Sequence, residues 1–259
     1  MSVPKAMILA AGVGSRLGRV TEQIPKPMIQ IGKKPILEYN VELLARSGIR
    51  DIVMNVHHQV DVITRHFQDG RRWGVSIEYS HEEELLGTAG ALLKLVARLN
   101  ETFILVYGDN IHRCDLQAAL AQHRQKKGLA TLTVFERRNV SFSGIVSIDE
   151  DDRITRMLER PKEHEVFSHW VNAGLIILEP EVLGFVPAKP PSDMMRDVLP
   201  EILRSGRPVY GYRMFEGPLW VDTPQDLDWV QGQMAESERR SRASDIHVDP
   251  LMMVEPMDR

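Results

Sequence analysis

The sequence predicts an α/β fold, a mostly parallel sheet with helices on its faces. Three observations carry that expectation. The largely apolar runs Met7 to Ala11, Asp51 to Val56 and Phe103 to Tyr107 read as strands buried on both faces. Segments of helical periodicity lie between them, which gives the β-α-β-α alternation of a parallel sheet. The first run then breaks at Gly12 and Gly14 into a basic stretch stiffened by proline. Open sheets of this class bind ligands beyond the carboxyl ends of their strands, where that stretch lies.

The elements follow in order. Glycines at 12 and 14 allow positive φ and close approach of backbone N–H groups to a ligand. Arg16, Arg19 and Lys26 follow, with Glu22 the only acid among them, and Pro25 and Pro27 forbid an ordinary helix. Such a stretch suits a polyphosphate. It fits neither the dinucleotide fingerprint nor the Walker pattern, because Leu17 stands where each requires glycine. Pro35 to Arg46 reads as a helix with Ile36, Tyr39, Leu43 and Leu44 on one face and Gly48 beyond its end. Gln59 to Phe67 is a second helix and Val75 to Tyr79 a further strand. His57 and His58 read as a solvated loop, since no further ligands stand at metal-site spacing.

Thr88 is expected to cap a helix from Ala89 to Leu99. Gly108-Asp109-Asn110 ends the strand Phe103 to Tyr107. An Asp there, after a Gly that leaves room, suits either a hard cation such as Mg²⁺ or a turn in which the Asp bonds its own backbone. Asp115 reads as the cap of helix Leu116 to Gln125. Residues 129–178 lose helical periodicity and give four strand-like segments, 129–136, 144–148, 154–158 and 171–178. Two more helical segments follow, 181–185 and 192–204, with Ser192 the expected cap of the second and Gly206 its stop. After the strand 209–214, either Asp222 or Thr223 caps a helix with Pro224 at its first position.

Composition bounds the function. The chain has 259 residues, 43% hydrophobic, enough for a substantial core. A net charge of −4 gives no general affinity for nucleic acid or acidic membranes, so the basic loop is local. Cys114, the single cysteine, excludes an intramolecular disulfide framework and reads as inert. No run reaches transmembrane length and Met1–Lys5 lacks a signal-peptide layout, so a cytoplasmic protein is expected.

Residues 12–28, G-V-G-S-R-L-G-R-V-T followed by P-K-P-M, resemble the signature of the sugar-1-phosphate nucleotidylyltransferases, the NDP-sugar pyrophosphorylases. Arg19 departs from that pattern, where many members carry proline. L-G-T-A-G at 86–90, G-D at 108–109, L-E-R-P at 158–161, N-A-G at 172–174 and W-V-D-T-P at 220–224 extend the resemblance over roughly residues 5–232. It implies the Rossmann-like nucleotide-diphospho-sugar transferase fold. Residues 1–234 would form one nucleotidyltransferase domain, with 129–222 mainly sugar-phosphate-binding, and 235–259 a C-terminal helical extension or tail. It implies an NTP and a sugar 1-phosphate as partners, without nucleic acid or membrane, and leaves association with a second copy of the chain open.

The same resemblance implies the site. Arg16 and Lys26 are the expected catalytic residues. Ala10, Ala11, Gly12, Gly14, Ser15, Gly87 and Thr88 would meet the nucleotide. Gly108, Glu159, Arg160 and Asn172 would meet the sugar phosphate, with Arg160 in place of the usual lysine. Asp109 and Asp222 would hold Mg²⁺, although this chain lacks the two residues that usually separate W-x-D from T-P. The short chain and its segments look most like mannose- or heptose-1-phosphate guanylyltransferases. A UTP- or dTTP-dependent glucose-1-phosphate enzyme is the alternative, and a non-catalytic nucleotide-sugar-binding regulator is a third reading.

Overall fold

A computed structural model describes residues 3–12, 14, 17–243 and 254. Its strands are β1 (Lys5–Leu9), the short pair β2 (Gln30–Ile31) and β3 (Lys34–Pro35), β4 (Asp51–Val56), β5 (Ser76–His81), β6 (Phe103–Tyr107), β7 (Asn110–Ile111), β8 (Ala130–Glu136), β9 (Gly144–Ile148), β10 (Ile154–Glu159), β11 (Trp170–Leu178), β12 (Val209–Arg213) and β13 (Leu219–Trp220). The helices are α1 (Arg19–Gln23), α2 (Ile36–Arg46), α3 (Val60–Phe67), α4 (Gly87–Gly90), α5 (Leu116–Lys126), α6 (Leu199–Arg204) and α7 (Pro224–Ala243), with 3-10 turns between several of them.

Nine strands form one sheet in the order β10-β9-β11-β6-β1-β4-β5, with β8 and β12 joined through β11. The N-terminal half, β6-β1-β4-β5, is parallel throughout. Strand β11 runs antiparallel to β6 and β8, and carries the strands of residues 130–178 onto the same sheet. The continuous apolar character of β1 has its cause here. Met7 packs into a core with Val53, Phe103 and Leu105 on one face. Ala6 and Ile8 pack with Ile52, Met54, Ile104 and Val106 on the other. Both faces are covered, so alternation is lost.

A third cluster sits beside the sheet. Leu17, Ile29, Ile31, Ile36, Tyr39, Ile111, Leu219, Val221 and Val230 pack together there. It joins the segment around Lys26 to the two-strand patch β7–β13, in which Trp220 pairs with Asn110. Val254 is buried in the same cluster, and its carbonyl accepts from Arg113 Nη1 at 2.5 Å. The rest of the apolar stretch 251–254 lies outside the described residues.

Several local expectations are corrected. The helix expected from Ala89 to Leu99 is one α-turn followed by a 3-10 helix, Ala91–Leu95. Thr88 does not cap it, because the Thr88 hydroxyl donates to Asp193 Oδ2 at 2.8 Å and accepts from the Met194 N–H. The helical segment 192–204 begins as a wide turn, Met194–Val198, and its cap is Asp193, not Ser192. Asp193 Oδ1 accepts from the N–H groups of Met195 and Arg196 at 2.9 Å each, a site one residue later that its carboxylate reaches directly. The charged segment after Ala235 continues α7 to Ala243.

Candidate active site

At the carboxyl ends of β1, β4 and β6 the chain opens a cleft of about 400 Å³. One wall comes from the first loop and residues 85–88, the other from β8–β11 and Asp193. The size suits a nucleotide-class ligand.

Lys26 stands on the cleft wall but is 3% exposed. Its ammonium donates to Asp109 Oδ2 and to Asp222 Oδ1, each at 2.7 Å. Burial alone would lower the Lys26 pKa, but the two carboxylates outweigh it and raise it above the ordinary value of 10.5. Burial would likewise raise Asp109, and the Lys26 ammonium beside it holds the carboxyl below the usual range instead. Lys26 and Asp109 are therefore both charged at neutral pH. The lysine stem needs Gly14, since a Cβ there would lie 2.6 Å from Lys26 Cβ and φ is +67°. That glycine lets the two ends of the loop touch.

Asp222 faces Lys26 while its neighbour does the capping. Thr223 Oγ1 accepts from the Asp226 N–H at 3.2 Å, and Asp226 Oδ2 accepts from the Thr223 N–H and hydroxyl at 2.8 Å. This reciprocal arrangement starts α7. Val221, fully buried in the third cluster, fixes the rotation that turns Asp222 toward the cleft.

On the first-loop wall, expected to meet a nucleotide, Ala11, Gly12, Gly14, Gly87 and Thr88 line the cleft, while Ala10 is buried behind it. Gly87 has φ +82° and lies so close to the 192–193 segment that a Cβ would meet Ser192 O at 2.3 Å. Ser15 and Arg16 lie outside the described residues. Two side chains not singled out in the sequence, Asn55 and Glu82, also line this wall. The Ala10 N–H donates to Asn55 Oδ1 at 2.7 Å, Asn55 Nδ2 donates to Glu82 Oε1 at 2.8 Å, and the Leu86 N–H donates to Glu82 Oε2 at 3.1 Å. The pair ties the first loop to the segment before Gly87. A polar Asn inside the apolar run Ile52–Val56 was the available signal.

On the opposite wall, expected to meet a sugar phosphate, Glu159, Arg160 and Asn172 line the cleft. Burial, then Asp193, push the Glu159 carboxyl up to about 7, with Arg160 opposing. Arg160 is 67% exposed, its Nε 3.5 Å from Glu159 Oε1. Asn172 opens a bulge in β11, where its Oδ1 accepts from the Gly174 N–H at 3.1 Å. Gly108 lies behind the cleft wall, its N–H donating to Leu9 O at 2.9 Å. Cys114 is buried, its thiol pushed up to about 12 by burial and then by Asp115, which leaves it unreactive.

The family model described as nucleotidyl transferase matches residues 5–238. The chain belongs to the nucleotidyl transferase family. A UTP–glucose-1-phosphate uridylyltransferase of Synechocystis sp. is 36% identical over 95% of this chain and 67% of its own length. A mannose-1-phosphate guanylyltransferase of Mycobacterium tuberculosis is 30% identical over 88% of this chain and 63% of its own. The chain thus spans about two thirds of the length of these curated relatives. A UDP-glucose pyrophosphorylase solved with UDP-glucose shares the fold, with a TM-score of 0.79 at 19% identity over 92% of this chain and 100% of that one. Among the described residues of this family member no helix is long and apolar enough to cross a membrane.

Proposed function

We propose that this chain transfers a nucleoside monophosphate from an NTP to a sugar 1-phosphate and releases pyrophosphate. The observation that carries the reading is the buried Lys26 ammonium held between Asp109 and Asp222 in a cleft with two unlike walls. In the reaction a phosphate oxygen of the sugar 1-phosphate bonds to the α-phosphorus. The bond from that phosphorus to the β,γ-diphosphate breaks, and its electron pair leaves with pyrophosphate. Both reactants are anions, so charge neutralisation and alignment are what the site must supply. A phosphate monoester is nucleophilic near pH 7, and no general base is required.

The donor set fits Mg²⁺. Two carboxylates converge on one cation, here the Lys26 ammonium, and Mg²⁺ is commonly held by one or two carboxylates together with substrate phosphates. Asp109 and Asp222 would hold it, and when bound it supplies charge neutralisation to the phosphates. Lys26 keeps its proton and places a fixed positive charge beside them. Arg16 is assigned to the departing pyrophosphate. The amides of the first loop and of Gly87 would meet the nucleotide. Glu159 and Asn172 would accept and donate hydrogen bonds to sugar hydroxyls, and Arg160 would face the sugar phosphate. Residues 1–234 work as one unit in this reading, with 129–222 mainly on the sugar side.

For the substrate pair, the segment Glu84–Gly90 and the guanylyltransferase relatives favour GTP with a mannose- or heptose-type 1-phosphate. UTP with glucose 1-phosphate is the second reading, favoured by the Synechocystis relative. Pyrophosphate release over a matrix of five NTPs and several sugar 1-phosphates separates them. Release with GTP and mannose 1-phosphate above all other pairs supports the first, and a UTP–glucose 1-phosphate maximum supports the second. Nucleotide binding without release from any pair would leave a non-catalytic regulator.

A further inference from the structure

We infer that Phe142 packs against the ring of the bound sugar 1-phosphate, an inference that rests on the nucleotidyl-transfer reading above. Phe142 lies in the connection between β8 and β9 and lines the cleft, yet it is 74% exposed. The backbone that carries it is tied down. Val140 is buried in a cluster with Phe135, Ile145, Val171 and Ala173. The Ser143 N–H donates to Val140 O at 2.9 Å, which makes Ser141 and Phe142 the centre of a tight turn. The Ser141 N–H donates to Asn139 Oδ1 at 3.2 Å, and Ser143 O accepts from the Arg160 N–H at 3.1 Å. A turn held at both ends thus presents an aromatic ring to the cleft.

The position of the turn selects the occupant. Gly144, two residues on, pairs with Glu159 across β9 and β10. A Cβ at 144 would lie 2.6 Å from Glu159 Oε2, so the chain leaving the turn runs directly against that carboxylate. Glu159 is the residue assigned above to sugar hydroxyls. Of the large apolar side chains that are exposed, Leu85 also lines the cleft, but on the first-loop wall. A pyranose ring has hydroxyls at its edge and a face of C–H groups. Glu159 and Asn172 suit the edge, and an uncharged aromatic face suits the C–H groups. Single exposed apolar residues are common on protein surfaces. If Phe142 were only one of those, its loss would leave the KM of both substrates unchanged.

The test is steady-state kinetics on F142A and F142Y with the NTP and sugar 1-phosphate that the wild type uses, with melting curves as a folding control. An exposed side chain is dispensable for the fold, so both variants should melt close to wild type. F142A is expected to raise the KM for the sugar 1-phosphate about tenfold, the effect of uncovering much of an aromatic side chain. The NTP KM should stay within about twofold, and kcat should change little, because the contact binds ground state and transition state alike. F142Y keeps the ring and should restore most of the loss. F215A removes a fully exposed ring outside the cleft lining and should alter neither KM. A folded F142A with an unchanged sugar 1-phosphate KM, or with both KM values raised together, overturns the inference, as does an equal rise in F215A. If wild type releases pyrophosphate from no pair, the transfer reading fails and direct calorimetry with mannose 1-phosphate and glucose 1-phosphate decides on Phe142. Weaker binding by F142A than by wild type then supports its role, and equal binding, or none by either, overturns it.

Discussion

Lys26 is buried, yet its charge is fixed by partners 83 and 196 residues away in the chain. Removing either carboxylate should leave an imperfectly compensated ammonium and delete a cation ligand while keeping the side-chain shape. Asp109→Asn and Asp222→Asn are each expected to lower turnover on the order of 10²-fold or more, with circular dichroism unchanged. Pyrophosphate release in saturating Mg²⁺ measures it, and near wild-type rates would remove these residues from the reaction. Glu159 carries a pH prediction. Its folded carboxyl titrates near 7, above the ordinary 4.5, through burial first and Asp193 second. Between those values the native state binds more protons than the unfolded one, so stability falls as pH rises from about 4.5 through 7. The Glu159→Gln variant should lack that slope, which is worth on the order of 1–3 kcal/mol. Urea denaturation at pH 5 and pH 7.5 on both proteins reads the difference, and parallel pH dependence would contradict it.

At the scale of elements, what matters is how short segments are anchored. The start of α7 places Asp222, and the cap is shared by Thr223 and Asp226. Thr223→Ala should cost about 1 kcal/mol of stability and also raise the Mg²⁺ concentration needed for half-maximal activity, because Asp222 loses its register. A melting curve with a Mg²⁺ titration tests both, and a stability loss without any change in Mg²⁺ demand would confine the cap to folding. Turn α4 is held by a close backbone approach to the 192–193 segment, where Ala89 and Gly90 N–H groups donate to Ser192 O. Gly87→Ala combines positive φ with a Cβ 2.3 Å from that oxygen. It should destabilise by about 1–3 kcal/mol or more and weaken nucleotide binding, as read by denaturation and by titration with the NTP.

Over the whole molecule, the two walls of the cleft belong to one sheet but to different halves of the chain, so ligands that touch both should stabilise the fold as a unit. An NTP with Mg²⁺ at one hundred times its Kd adds about 2.7 kcal/mol, visible as a rise of several degrees in Tm. Differential scanning calorimetry checks it, and an unchanged Tm at saturating NTP would place nucleotide binding elsewhere. Much of this architecture was legible in the residues themselves. Buried parallel strands need continuous apolar runs, so β1, β4 and β6 declared themselves, and the capped helix α5 followed from Asp115 by local chemistry. The Gly12–Met28 stretch marked the edge where the cleft opens, because glycines, cations and prolines in that pattern do not suit a core. Residues 158–161 and 172–174 were marked only through their resemblance to a family. What the chain alone left open were pairings between distant segments. Two adjacent residues, Asp222 and Thr223, compete equally for the cap on local grounds, and the burial of Val221 in a cluster built from Leu17, Ile31 and Ile111 decides between them. Thr88 reads as a cap until Asp193, 105 residues on, takes its hydroxyl. Periodicity and turn chemistry are short-range and act within a few residues, so sequence by itself determined the class of fold and the sheet edge at which the cleft opens. The partners of each charge depend on the order in which strands are laid side by side, and only the tertiary structure decided those.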